Sequence, residues 1–355
     1  MKVPMRRMQN KQYERDKRRQ KKLLLHYKKY RERRRQVRLR IRPYFIESRD
    51  GQKLQQDIAL CPPSDFRYLS NFSDCNKFFY DLIHSKPTKH IGVWMPYIKI
   101  DCSRVEQIDF VSTCLLAAIC EELKDAPLNY SVYGRLPNDK ECYEFIKQSG
   151  FLNGKVDGAG RQYPIVKGVS KMTIHKGQDK LKDEQLKYFV DKVREVYSHM
   201  GITSHPAYVI NVLKEICGNS VEWSNATRKR WTLSVRETND YYEFVVLDLG
   251  RGILNSLHYK YQSIIDTLGI RKDSDILRRA FDKKYKSESM EDNRHKGLPF
   301  ILGAYMENKV KGLNVASNYV LLNFDDESGN KLIKKNKKRE CPGTIYRWVI
   351  DKSCI

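Results

Sequence analysis

The chain has 355 residues, 40% of them hydrophobic, enough to build two globular domains with cores of their own. No apolar run reaches the ~18 residues of a membrane span, and the basic N-terminus has no apolar signal core, so both an integral membrane protein and a secreted one are disfavoured. Nine scattered cysteines without a C-x-x-C pair argue against a disulfide framework or a zinc site, and for reduced thiols in a cytoplasmic protein.

The net charge of +24 is uneven. Residues 1–42 hold 19 Lys and Arg against three acids, a net +16, and the remaining 313 residues share +8. This stretch reads as a basic arm, helical over about residues 10–40, where neither Pro nor Gly interrupts it. Its apolar residues form no continuous stripe, which argues against a membrane surface. Clustered arginines with interleaved tyrosines suit phosphates and base stacking, so nucleic acid is the leading partner and an acidic protein the second. A solvated extension without a partner is the plain alternative.

Residues 43–152 read as a connector followed by a small α/β domain. The connector is broken at Cys61-Pro62-Pro63-Ser64 and carries a short buried helix near 78–83. The domain runs over about 90–152. Strand-like sequence extends to Asp101, and a helix follows Asp109 in DFVSTCLLAAICEEL. A strand lies near 130–133, and a last helix ends at Gly150. This order, with Ile108-Asp109-Phe110-Val111-Ser112 before the helix, resembles the STAS or anti-sigma-antagonist family. The resemblance implies a platform for a protein partner, with a regulatory Ser or Thr at this turn. The D-S-S-G or D-S-T-G of that family is absent here, so Ser112 is expected to serve as a helix N-cap.

Residues 153–180, rich in Gly, Lys and Asp, read as a linker, with His175 in an exposed turn. Residues 181–355 read as a second domain. A helix over 181–200 ends at Gly201. The next, over about 206–224, places Val209, Val212, Leu213 and Ile216 at helical spacing. Glu215 and Asn219 are four apart and share one face. A carboxamide oxygen is a hard ligand for Mg²⁺, and a carboxylate can position or deprotonate a water. Segments 231–237 and 241–247 alternate in strand fashion around an Asn239-Asp240 turn, a hairpin that delivers Asp248. Asp248, Gly250, Gly252 and Ile253 follow in VVLDLGRGI. The acid can accept a hydrogen bond from an exocyclic amine, and the glycines allow close backbone approach. Residues 255–292 are long and polar, with two helices expected. A helix over 297–308, with Arg294, His295 and Lys296 just before it, presents amides and cations to an anion. Strands near 319–324 and 344–350 close the domain, and 331–339 forms a basic loop between them.

Four of these patterns occur in a fixed order over about residues 185–351. They are E-x-x-x-N at Glu215 and Asn219, D-x-G-x-G at Asp248, Gly250 and Gly252, Gly297-Leu298, and Gly343-Thr344. Together they resemble the boxes of the gyrase, chaperone, histidine-kinase and mismatch-repair ATPases, the GHKL or Bergerat-type family. The resemblance implies an α/β sandwich, which makes the whole chain α+β or α/β, with ATP and Mg²⁺ as cofactors. It implies that Asn219 holds the metal and that Asp248 takes the adenine amino group, with Gly250, Gly252 and Ile253 shaping the loop beside it. Arg294, Lys296, Gly297 and Leu298 would lie near the phosphates, where the lid over the nucleotide joins the next helix. Thr344 would lie near the adenine, and Glu215 would act as the catalytic base. Two departures stand out: Pro299 replaces a second glycine, and Glu222-Trp223 follows the Asn.

The expected function is therefore an ATP-binding regulatory protein, hydrolysing ATP or switched by it. A STAS-like domain would engage a protein partner, the basic arm nucleic acid or an acidic protein, and a homodimer is compatible with it. One alternative is an anti-sigma-type serine/threonine protein kinase. Another is a nucleic-acid-binding scaffold with a non-hydrolysing nucleotide site. A sensor histidine kinase fits poorly, because His84, His90 and His199 lack an adjacent acid on a dimerising helix.

Overall fold

The computed structural model describes residues 45–47, 53–55, 59–85, 97–124, 131–157, 160–165, 183–203, 206–223, 231–267, 272–282, 297–326, 328, 330–332, 340 and 343–354. The basic arm, His175, most of the 153–180 linker, and Arg294, His295 and Lys296 lie outside the described residues. The chain forms two compact units: residues 1–57 with 88–94, and residues 58–87 with 95–355. The described part of the first is one antiparallel pair, β1 (Phe45–Glu47) with β2 (Lys53–Gln55).

The second unit is mixed α/β, with parallel and antiparallel sheets. Its first half runs β3 (Ala59–Leu60), β4 (Asp65–Phe66), α1 (Phe72–Ile83), β5 (Tyr97–Asp101), β6 (Gln107–Ile108), α2 (Phe110–Lys124), β7 (Ser131–Arg135) and α3 (Lys140–Gln148). Strands β3, β5 and β7 form a parallel sheet in that order, and β4 pairs with β6, also parallel. The expected strand–helix–strand–helix order is present. Helix α1 begins at Phe72, earlier than the short helix read near 78–83, because Phe72, Cys75, Phe79 and Leu82 recur at helical spacing and bury one face.

The cap of α2 corrects the sequence reading. Asp109 precedes the helix, and its Oδ1 accepts from the Ser112 amide at 2.7 Å, so Asp109 is the N-cap. Ser112 sits inside the first turn, fully buried, and its hydroxyl accepts from the Tyr68 amide at 3.0 Å. The other Asp109 oxygen accepts from the Leu69 amide at 3.1 Å. Asp and Ser both cap helices, and only the position of the helix start distinguishes them.

The second half runs α4 (Asp183–Met200), α5 (Ala207–Trp223), β8 (Trp231–Glu237), β9 (Tyr241–Asp248), α6 (Ile253–Thr267), α7 (Asp273–Phe281), α8 (Gly297–Met306), β10 (Lys311–Ser317), β11 (Val320–Asn323), β12 (Lys331–Leu332) and β13 (Thr344–Asp351). Its six strands form one antiparallel sheet in the order β12-β11-β10-β13-β9-β8. The strands alternate. Phe244 and Val246 of β9, with Tyr346, Trp348 and Ile350 of β13, join a core with α4, α5 and α8. Val245, Leu247, Ala316, Leu321 and Ile345 point the other way, into the core that holds α1 and α2.

The sheet is thus covered on both faces, and α2 lies between its rear face and the small parallel sheet. This explains why α2 is buried nearly all round, from Phe110 to Cys120. A charged link crosses the same boundary. Glu243 of β9, 5% exposed, holds Arg236 at 3.0 Å and Arg347 at 2.8 Å, and Arg236 lies 4.9 Å over the ring of Phe145 and 5.6 Å over that of Phe110. The two stretches that read as separate domains share one compact unit.

Among the described residues, no helix is long and apolar enough to cross a membrane. Eight cysteines are described; none forms a disulfide, and all but Cys61 are buried.

Candidate functional site

Helix α5 buries Val209, Val212, Leu213, Ile216 and Cys217 in the core and leaves Glu215 and Asn219 half-buried on a flanking face. Helix α8 runs antiparallel beside it. The Tyr208 ring stacks on Phe300 at 4.6 Å near one end of the pair, and its hydroxyl donates to Glu307 Oε1 at 3.3 Å. At the other end, the first residue of α8 meets the acid–amide pair. A Cβ on Gly297 would stand 2.8 Å from Glu215 Oε2 and 2.9 Å from Asn219 Nδ2. The missing side chain is what lets both groups lie against the start of α8.

That start carries positive character. The first-turn amides of Gly297 and Leu298 have no acceptor earlier in the helix, and the aligned peptide dipoles add to them. Pro299 stands in the same turn, where its missing amide breaks no helical hydrogen bond, so the proline leaves the helix intact. Leu298 itself is half-buried and packs on the main core.

Asp248 ends β9, 7% exposed, directly across from Thr344 of β13 on one side and Trp231 of β8 on the other. Alternation with Phe244 and Val246 turns it to the α5 side of the sheet. Cys217 of α5 and Tyr346 of β13 both feel it. Burial first, then the Asp248 charge, push the Cys217 thiol and the Tyr346 phenol well up, so both stay neutral. Thr344, 4% exposed, begins β13 on this same row.

The glycine loop that follows turns sharply. Asp248 Oδ1 accepts from the Gly250 amide at 2.8 Å. Gly252 has φ +81, open to glycine at little cost, and the Ile253 amide that begins α6 donates to Ser317 Oγ at 2.7 Å. Gly343 has φ +94, and a Cβ there would stand 2.7 Å from the Asp248 carbonyl carbon and from the Gly250 nitrogen. Backbone crosses backbone at this point, and no side chain fits.

The structure therefore brings together Glu215, Asn219 and Gly297 as one group. Asp248, Gly250, Gly252, Ile253 and Thr344 form a second group, at the end of the sheet face on which α5 packs. Three further residues beside the glycine loop, Asn255, Asn318 and Glu340, escape the sequence reading. An Asn directly after a strand is the signal for a left-handed turn, and Asn318 has φ +55. Nothing local marks Glu340. Compared with models of known protein families the chain matches none, and no curated protein matches it.

Proposed function

We propose that the 181–355 stretch binds Mg-ATP in the manner of a GHKL-type ATPase, as the catalytic or switching part of a regulatory protein. The observation that carries this reading is the contact at Gly297. Three residues from two separate motifs meet at a helix N-terminus, in a cradle that a single methyl group would fill. A carboxamide and a carboxylate beside helix amides fit a magnesium-bound phosphate group, with the metal neutralising phosphate charge when bound. In this reading Asn219 supplies the metal ligand, and the amides of Gly297 and Leu298 face phosphate oxygens. Glu215 orients and deprotonates the acceptor, either a water or a protein hydroxyl. Asp248 and Thr344, paired across two strands, read the base.

In the same reading, the first half of the unit is the STAS-like partner platform, and the basic arm binds nucleic acid or an acidic protein. The test is Mg-ATP binding and turnover by the full chain beside two variants. Asn219→Ala should lose binding, while Glu215→Ala keeps binding and loses turnover. Equal affinity in the wild type and Asn219→Ala would remove the metal role given to Asn219. A label passed from γ-labelled ATP to a partner protein, and lost in Glu215→Ala, would identify a protein kinase instead of an ATPase.

A further inference from the structure

Three stretches distant in the chain meet beside the glycine loop: the loop itself, the turn between β10 and β11, and Glu340. Asn318 is 1% exposed and takes a left-handed conformation that Asn tolerates better than most side chains. Its Oδ1 accepts from the Asn255 amide at 3.3 Å and the Ser317 hydroxyl at 3.1 Å. Its Nδ2 donates to the Arg251 carbonyl at 2.9 Å and to Glu340 Oε2 at 3.3 Å. That Glu340 oxygen also accepts from Asn255 Nδ2 at 2.8 Å, and its other oxygen accepts from the Tyr319 hydroxyl. Burial and the Glu340 carboxylate push the Tyr319 phenol up, so it remains a donor. Gly252 tucks against this group, where a Cβ would stand 2.7 Å from Asn318 Cγ and Nδ2.

We propose that Asn318 and Glu340 are positioning residues for the nucleotide site, holding the backbone of residues 250–255 in the shape that receives a magnesium-bound adenosine triphosphate. The inference rests on the nucleotide reading given above. Neither residue belongs to the motifs that suggested that reading, and their hydrogen bonds converge on the loop and the first residues of α6. A loop with glycines at 250 and 252 loses much conformational freedom when ordered. Holding it ready beforehand removes that cost from binding. Glu340 lies three residues before Gly343, which itself abuts Asp248 and Gly250. The return into β13 is thereby fixed at two points over the same loop.

The test uses the full chain as wild type, Glu340→Ala, Glu340→Gln and Asn255→Ala. Mg-ATP affinity is measured by calorimetry, and amide hydrogen exchange over residues 248–255 is followed without nucleotide. Glu340→Ala and Asn255→Ala should exchange faster over 250–255, with β8 and β9 protected as before, and should bind Mg-ATP about tenfold more weakly, since even small misplacements of a site are costly. Glu340→Gln keeps an oxygen for Asn255 and a polar group for Tyr319, and should recover most of the affinity. Faster exchange with unchanged affinity would make the network structural only and overturn the proposal. So would unchanged exchange together with unchanged affinity. A wild type that binds no Mg-ATP overturns it through its premise, and the exchange data, which need no nucleotide, tell that failure apart from the others. Should Glu340→Ala fail to fold, Asn255→Ala, which takes away one amide side chain at the start of α6, decides.

Discussion

Gly297→Ala should separate the proposed site from the fold. Ordinary contact for a Cβ begins at 3.4 Å, and the new methyl would stand 2.8 Å from Glu215 Oε2 and 2.9 Å from Asn219 Nδ2, so each must retreat by about half an ångström. Both atoms are the far ends of flexible side chains, so the backbone need not move. The helix itself gains: Ala in place of Gly is favourable by up to about 0.5–1 kcal/mol within a helix, less at its first residue. Stability should therefore be unchanged or slightly higher. Binding should not survive so well. Metal ligands must sit within about 0.2 Å of their distances, and displacing reacting groups by about 1 Å can cost a hundredfold. The expected result is an unchanged or raised midpoint of thermal unfolding without nucleotide, with Mg-ATP affinity at least about tenfold lower by calorimetry. Wild-type affinity in Gly297→Ala would refute the claim that Glu215 and Asn219 face the ligand from this position.

Gly343→Ala should act in the opposite way. Its neighbours are backbone atoms of Asp248 and Gly250, which cannot rotate aside, and φ +94 is strained for any side chain, so thermal unfolding should fall by at least the equivalent of about 1–3 kcal/mol. Glu243→Ala leaves the half-buried Arg236 and Arg347 without their shared carboxylate, and urea unfolding should record a loss of about 1.5–3 kcal/mol, the range for hydrogen bonds to a charged group. Asp109→Ala removes the acceptor of two amides, those of Ser112 and Leu69, at a cost of about 2 kcal/mol in the same assay. Burial holds the Asp109 carboxyl above its ordinary 3.8, so the folded state keeps this proton to higher pH than the unfolded state. Asp109 therefore costs stability progressively as pH rises from about 3.8 to its folded value. Asp109→Asn stays neutral throughout, and its stability relative to wild type should rise with pH across that window; a flat difference would contradict the assignment.

Much of the site was legible because its signals are local. Glu215 and Asn219 needed only the helical repeat of Val209, Val212 and Ile216. The hairpin into Asp248 needed only two alternating runs and a turn, and both elements lie within a residue of the expected bounds. Strand β10 was missed, although it is central. Its sequence KGLNVAS carries a Gly, an Asn and a Ser, residue types that give little strand signal. It is a strand because Leu313 and Val315 fill the core on one face and Ala316 on the other. Gly312, at φ +59 where the pairing with β13 shifts register, absorbs the irregularity. The partners of Glu340 were invisible for a different reason: Asn255 lies 85 residues away, and no periodicity connects them.

The covering of the sheet's rear face has a consequence for dissecting the protein. A fragment beginning at residue 181 would carry every motif of the proposed nucleotide site and would look self-contained on paper. It would also bare Val245, Leu247, Leu321 and Ile345, whose burial is worth roughly 1.5–3 kcal/mol apiece. Their sum is comparable with the whole stability of a domain, about 5–15 kcal/mol. Helix α2 thus lends apolar surface to two sheets at once, and the melting of either should strip cover from the other. Among the described residues of this unit, unfolding should proceed as one transition that takes both sheets together, and any ligand that tightens the glycine loop would raise the melting point of the parallel sheet as well.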